Sequence, residues 1–144
     1  GLGLTAPLVT EENASPEDVK AVSEGLGEYN RAIVGPENYA PLRIFLRDEQ
    51  NRIVGGILGV FFWGWLAIEY LWVSEALRGQ GYGTLLLETA ETEARKRGVK
   101  NINLDTMSFQ APDFYLKMGY RIFGQLDGIP EGQGHIRYFL TKKL

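Results

Sequence analysis

Leu71-Trp72-Val73-Ser74-Glu75-Ala76-Leu77-Arg78-Gly79-Gln80-Gly81-Tyr82-Gly83-Thr84 is the stretch on which the fold turns. An apolar segment ends, a short loop follows, and glycines at alternate positions (Gly79, Gly81, Gly83) lead into an amphipathic run. Glycine permits positive φ and lets a bulky ligand come close to the backbone amides. A helix start offers unpaired N–H groups and roughly half a positive charge, which together suit an anion. Arg78 adds a permanent cation. No G-K-[ST] follows, so this is not a Walker A loop, and the spacing is not the G-x-G-x-x-G of a dinucleotide site. Taken alone, the motif reads equally well as a tight strand-to-helix connection with no ligand.

Downstream, Gly81 to Arg97 places Leu86, Ala90 and Ala94 on one helical stripe, widened by Leu85 and Leu87. Glu91→Arg95 and Glu93→Arg97 are i,i+4 pairs in the favourable order, and Gly98 follows as a C′ residue. Lys100 to Thr106 predicts a strand with Ile102 and Leu104 on one face. A short helix spans about Pro112 to Met118. Tyr120 to Leu126 and His135 to Lys142 form a last pair of strands around the acidic, Gly-rich loop Asp127 to Gly134.

Upstream, Leu66 to Val73, Arg52 to Phe62 and Leu42 to Arg47 are strands joined by short turns, an antiparallel meander. Before them, Ser15 caps a helix that opens on Pro16 and carries Val19, Val22, Leu26, Tyr29 and Ile33 to a stop at Gly35-Pro36. Leu4 to Val9, interrupted by Pro7, predicts a first strand. The order β-α-β-β-β-α-β-α-β-β is α+β: a mixed, mostly antiparallel central sheet of about seven strands with helices on both faces.

At 144 residues the chain predicts one domain over 1–144. Apolar residues at 44% and charged residues at 23% match an ordinary globular protein. Lys+Arg 15 against Asp+Glu 18 gives a net charge of −3, which argues against nucleic acid as main ligand. Cysteine is absent, so thiolate nucleophiles, disulfides and Cys-ligated zinc are all excluded. His135 is the single histidine, which excludes HExxH, and no G-x-S-x-G supplies a serine nucleophile. No metal is expected. The near-apolar run Ile53 to Trp72 is broken by Gly55-Gly56, Gly59, Gly64 and Glu69, so no membrane span is expected. With no basic leader visible, a cytoplasmic location is the expectation.

A second segment gives the glycine loop its meaning. Ala111-Pro112-Asp113-Phe114-Tyr115-Leu116-Lys117-Met118-Gly119-Tyr120 closes a short helix before a strand, about thirty residues past the loop. Together R-G-Q-G-Y-G and A-x-x-F-Y-x-K-x-G-Y resemble the GNAT superfamily of N-acetyltransferases, and the strand order extends the resemblance over nearly the whole chain. The resemblance implies acetyl-CoA as co-substrate, its pyrophosphate on the amides of Arg78, Gly79, Gln80, Gly81, Tyr82, Gly83 and Thr84. It implies a pantetheine arm paired with the main chain of Leu71, Trp72 and Val73, with the Val73 N–H polarising the thioester carbonyl. Tyr115 would protonate the departing thiolate, Phe114 would lie beside the cofactor, and Lys117 would sit near its phosphate or adenosine end. Ser108 stands where the family often has asparagine; it can donate one hydrogen bond but lacks an amide's paired functions.

Acetyl transfer needs a neutral amine, and a lysine-like amine has a pKa near ~10.4, so a base or water chain must take its proton. Glu69, two residues before Leu71, would share a strand face with Leu71 and Val73 and is the first candidate. Its other reading is a solvated or salt-bridged strand residue. Asp105 (otherwise a strand-end cap), His135 (otherwise structural) and water are the alternatives. Phe61-Phe62-Trp63-Gly64-Trp65 would wall an acceptor pocket, form a subunit contact or pack alternately into the core. Asp127 and Glu131 would suit a cationic acceptor. The reaction expected is acetyl transfer to a primary amine of a small molecule by direct attack in a ternary complex. The alternatives are a protein or peptide amine, or a non-catalytic acyl-CoA sensor. The resemblance also implies a homodimer, a second subunit covering an edge strand.

Overall fold

A computed structural model describes residue 3 and residues 7–144. Among them are helices α1 (Pro16–Val34), α2 (Tyr82–Lys96) and α3 (Pro112–Lys117). The strands are β1 (Ala40–Arg47), β2 (Ile53–Phe62), β3 (Trp65–Val73), β4 (Asn101–Met107), β5 (Arg121–Asp127) and β6 (Ile136–Lys143). Six strands thus replace the expected seven. In the first expected strand, residues 4–6 lie outside the described residues, while residues 7–9 form no strand and Leu8 is 96% exposed. Pro7 has no N–H to give a ladder.

The chain divides into two compact units between Glu37 and Asn38. The first carries α1. Ser15 caps it by accepting from the Asp18 N–H at 3.1 Å, Pro16 opens it, and Gly35 ends it at φ 87°. Val19, Val22, Leu26, Tyr29 and Ile33 keep their helical spacing but are all exposed.

The second unit is one sheet in the order β1-β2-β3-β4-β6-β5, antiparallel throughout except where β3 meets β4. That parallel step follows from the α2 crossover between them. On the face under α2, Leu42, Ile57, Leu66, Ile68, Ile102, Leu104 and Leu140 pack with Leu86, Leu87, Ala90 and Ala94 of the helix. Leu85 is half exposed, because it lies one position off the buried stripe. Tyr115 and Tyr120 join the same core, so α3 lies on that face too. Of the aromatic run, Phe61 is buried in this core, and Trp63 (φ 43°) and Gly64 (φ 77°) form the turn.

Of the two expected i,i+4 pairs on α2, Glu93–Arg97 forms at 3.1 Å and Glu91–Arg95 does not. Glu91 points into the core, where Lys142 Nζ donates to both its oxygens at 3.0 Å and the Tyr120 hydroxyl donates at 2.8 Å. Lys142 also donates to the Met118 carbonyl at 2.8 Å. A buried carboxylate requires such partners, and these tie α2, the end of α3 and β6 together.

Two irregularities of β3 shape the site. Leu58 opposes Tyr70 and Gly59 opposes Ile68, which leaves Glu69 unopposed in a β-bulge. Gly59 admits the bulged strand: a Cβ there would stand 2.5 Å from the Ala67 carbonyl oxygen. In addition, β3 pairs with β4 only at Trp65–Asn101, Leu66–Ile102 and Ala67–Asn103. Beyond Ala67 the two strands part.

Candidate active site

The gap between the parted strands is a cleft of about 660 Å³. Its walls include Glu69, Leu71, Trp72, Val73, Arg78, Gly83, Phe114 and Tyr115, all singled out from sequence. The main chain of β3 is oriented toward it. The Ser74 N–H bonds to the Val54 carbonyl at 2.9 Å. In an antiparallel ladder the groups alternate, so Trp72 bonds toward β2 while Leu71 and Val73 turn their N–H and C=O toward the gap. Leu71 therefore presents an unpaired N–H and C=O at the strand edge, and Val73 an unpaired N–H. The Arg78 Nε donates to the Val73 carbonyl at 3.1 Å, fixing the loop against the strand end.

The loop itself has the expected backbone. Gly79 (φ 75°) and Gly81 (φ 87°) are left-handed, and Gly81 is the N-cap of α2, with no side chain bonded to the first-turn amides. The amides of Tyr82, Gly83 and Thr84 have no intrahelical acceptor, an arrangement that suits an anion. Gly79, Gln80, Gly81, Tyr82 and Thr84 adjoin the cleft through the chain without walling it; Gln80 Nε2 donates back to the Ala76 carbonyl at 3.2 Å.

Tyr115 is 8% exposed, with ring centroids of Phe114 and Tyr120 at 5.1 and 5.9 Å. Its hydroxyl has no protein partner among the described residues, yet it is not sealed off, since no buried side-chain polar atom lacks a partner. It therefore opens onto the cleft. Burial first, and the Asp105 carboxylate second, push its pKa up to about 12. The phenol stays protonated across the physiological range.

The candidate bases separate. Glu69 is exposed at the bulge, where the cleft meets a second cavity, and has no hydrogen-bond or ion-pair partner among the described residues. The bulge breaks strict alternation, so a face shared with Leu71 no longer follows from spacing. Asp105 lines the cleft but is held by Arg137 in a fork, Nε to Oδ1 and Nη2 to Oδ2 both at 3.1 Å. Protonation would break that pair. His135 packs edge-on to Phe109 at 4.8 Å and meets Ser108 Oγ through Nδ1 at 3.3 Å, outside the cleft wall.

Ser108 is turned away likewise. Its hydroxyl accepts from the Ile136 N–H at 3.0 Å, bracing the start of β6, and it does not wall the cleft. Lys117 is exposed at the end of α3, and Asp127 and Glu131 also lie outside the cleft wall. A residue that sequence reasoning passed over stands in the wall instead: Gln110. Its Oε1 accepts from the Met107 N–H at 2.7 Å and the Thr106 hydroxyl at 3.2 Å, leaving its amide N–H₂ free. Position 110 precedes the Ala111 motif by one residue, which was the available signal.

Residues 10–120 match the model of the acetyltransferase (GNAT) family. An acetyltransferase of Agrobacterium fabrum is 38% identical over 88% of this chain and 92% of its own. A blasticidin-S acetyltransferase of Streptomyces morookaense is 38% identical over 64% of this chain and 71% of its own. The crystal structure of an acetyltransferase from Bacillus cereus superposes with a TM-score of 0.84, at 33% identity, over 94% of this chain and 98% of that one. With its parted strands, glycine-capped helix and buried tyrosine, the chain belongs to the GNAT family and is an acyltransferase.

Proposed function

We propose that the protein moves the acetyl group of acetyl-CoA to a primary amine of a small molecule, by direct attack within a ternary complex. The observation that carries this is the parting of β3 from β4. It leaves the main chain of Leu71 and the Val73 N–H open beside the Tyr115 hydroxyl, in one cleft bounded by Arg78 and the start of α2. A pantetheine arm pairs along Leu71 and Val73 as an added strand, and the pyrophosphate takes the amides from Gly79 to Thr84 with Arg78. The Gln110 amide, rather than Ser108, gives the side-chain hydrogen bond to the arm. Phe114 packs beside it, and Lys117 lies toward the phosphate end.

Glu69 removes one proton from the bound ammonium, directly or through water. The neutral nitrogen attacks the thioester carbonyl carbon, and the oxyanion is held by the Val73 N–H. The C–S bond breaks, and the sulfur takes the Tyr115 proton, which solvent replaces. The attacking nitrogen loses its second proton to water and Glu69 releases the first to solvent, so the products are the N-acetyl amine and free thiol.

The relative that acts on blasticidin S supports a small-molecule acceptor. The reading extends to a cytoplasmic homodimer, with the open outer edges of β1 and β5 as pairing surfaces; sedimentation should then give twice 16.1 kDa. The deciding experiment is a screen of small amines with acetyl-CoA, read by thiol release. Amine-dependent release should appear and fall steeply in Tyr115→Phe while acetyl-CoA binding persists. Binding without any amine-dependent release would mark a sensor, and release only with peptides would mark a protein acetyltransferase.

A further inference from the structure

Across the bulge from the cleft is a second cavity of about 440 Å³. Tyr39, Arg43, Leu58, Val60, Glu69 and Tyr70 are among its walls. Glu69 and Tyr70 line both spaces, so the bulge is the partition between them. Arg43, Leu58 and Tyr70 stand in one cross-strand row over β1, β2 and β3. At ~4.8 Å per strand, the Arg43 backbone is about 10 Å from that of Tyr70. The guanidinium of Arg43 makes no ion pair, hydrogen bond or ring contact among the described residues. By contrast, Arg47 on the same strand donates to the Asn51 carbonyl and stacks on Phe45. The cavity therefore has an unpaired cation at its far end and an unpaired carboxylate at the end that adjoins the cleft.

We propose that this cavity holds the acceptor and selects amines that also carry a carboxylate, with the carboxylate on Arg43 and the amine on Glu69. The proposal rests on the small-molecule reading above and narrows it. A guanidinium presents a planar fork that fits a carboxylate, so the anionic end gains a charge-assisted pair. An amino acid type of acceptor, with its amine several bonds from its carboxylate, matches both charges. A diamine would place its second ammonium against Arg43 and be repelled. Tyr39, Leu58, Val60 and Tyr70 provide apolar surface for the connecting methylenes.

The test uses 4-aminobutanoate, 5-aminopentanoate, 6-aminohexanoate and lysine, each beside its carboxamide and the corresponding diamine, with saturating acetyl-CoA and thiol release as readout. Wild-type kcat/KM should favour the acid over the carboxamide by about 10- to 100-fold for the chain length that fits, the range for a hydrogen bond to a charged group. Arg43→Gln should reduce that ratio to about twofold. Arg43→Glu should reverse the order toward the diamine, and Arg47→Gln should keep the wild-type preference. Equal use of acid and carboxamide by wild type, or a preference that survives Arg43→Gln, overturns the proposal. Failure of the underlying function has a different signature: no acid, carboxamide or diamine releases thiol although acetyl-CoA binds, and the proposal falls with it.

Discussion

At the scale of single residues, the proposed chemistry depends on a phenol kept protonated and a main-chain strand edge kept free. Tyr115→Phe removes one hydroxyl from an apolar setting and leaves the core packing intact. It should lower kcat by about 10²- to 10⁴-fold, the range for a general acid, with acetyl-CoA affinity within about twofold. The raised pKa makes a second prediction. Because the folded state holds the Tyr115 proton up to about 12, the unfolded phenol ionises first, and this group's stabilising contribution is complete below pH 10 and lost between 10 and 12. In the rate profile, kcat/KM should show no descending limb below about pH 10, where the phenol and a lysine-like ammonium both keep their protons. A descending limb near pH 8 would remove Tyr115 as the acid. Ser108 and Gln110 give a paired prediction. Ser108→Ala breaks the bond to the Ile136 N–H and should cost about 1 kcal/mol of stability with the KM for acetyl-CoA unchanged, whereas Gln110→Ala should raise that KM severalfold. The left-handed turn at Gly81 was legible because glycine's missing side chain permits it, whereas Tyr115 was singled out by the resemblance of its motif. Ser108 and His135 were not legible, because their partner is each other across 27 positions of sequence, which no local pattern records.

At the scale of elements, the site is made by how β3 ends and how α2 begins. The glycine loop, the stripe of α2 and the alternation of β4 were legible because each repeats the period of its own structure. The bulge at Glu69 was not, since it is one residue added to a strand whose register is decided by β2, through the absence of a Cβ at Gly59. Gly81→Ala tests the loop: its φ of 87° is strained for any L side chain, so the variant should lose about 1–2 kcal/mol and weaken acetyl-CoA binding. Glu91 shows the limit of helix arithmetic. Its spacing to Arg95 is favourable, yet the position faces the core, and burial reassigns it to Lys142 and Tyr120. Lys142→Met leaves the Glu91 carboxylate buried without its cation, with only the Tyr120 hydroxyl bonded to it, and should cost about 3 kcal/mol by chemical denaturation. That loss would loosen α3, which carries Tyr115.

At the scale of the whole molecule, the composition excluded thiol and two-histidine chemistry, and the element order in residues 38–144 matched the sheet. The strand count did not, because residues 7–9 of the first expected strand form no ladder. If the cleft is the acetyl-CoA site, ligand at a thousand times its Kd should stabilise the fold by about 4 kcal/mol, measurable as a rise in Tm. The central claim is that the parted edge of β3 aligns the thioester with Tyr115, and a crystal structure of the complex with acetyl-CoA tests it most directly. The pantetheine should lie along Leu71 and Val73, its carbonyl oxygen on the Val73 N–H and its sulfur within hydrogen-bond reach of the Tyr115 hydroxyl. An arm lying outside the cleft, or a sulfur remote from that hydroxyl, would contradict it.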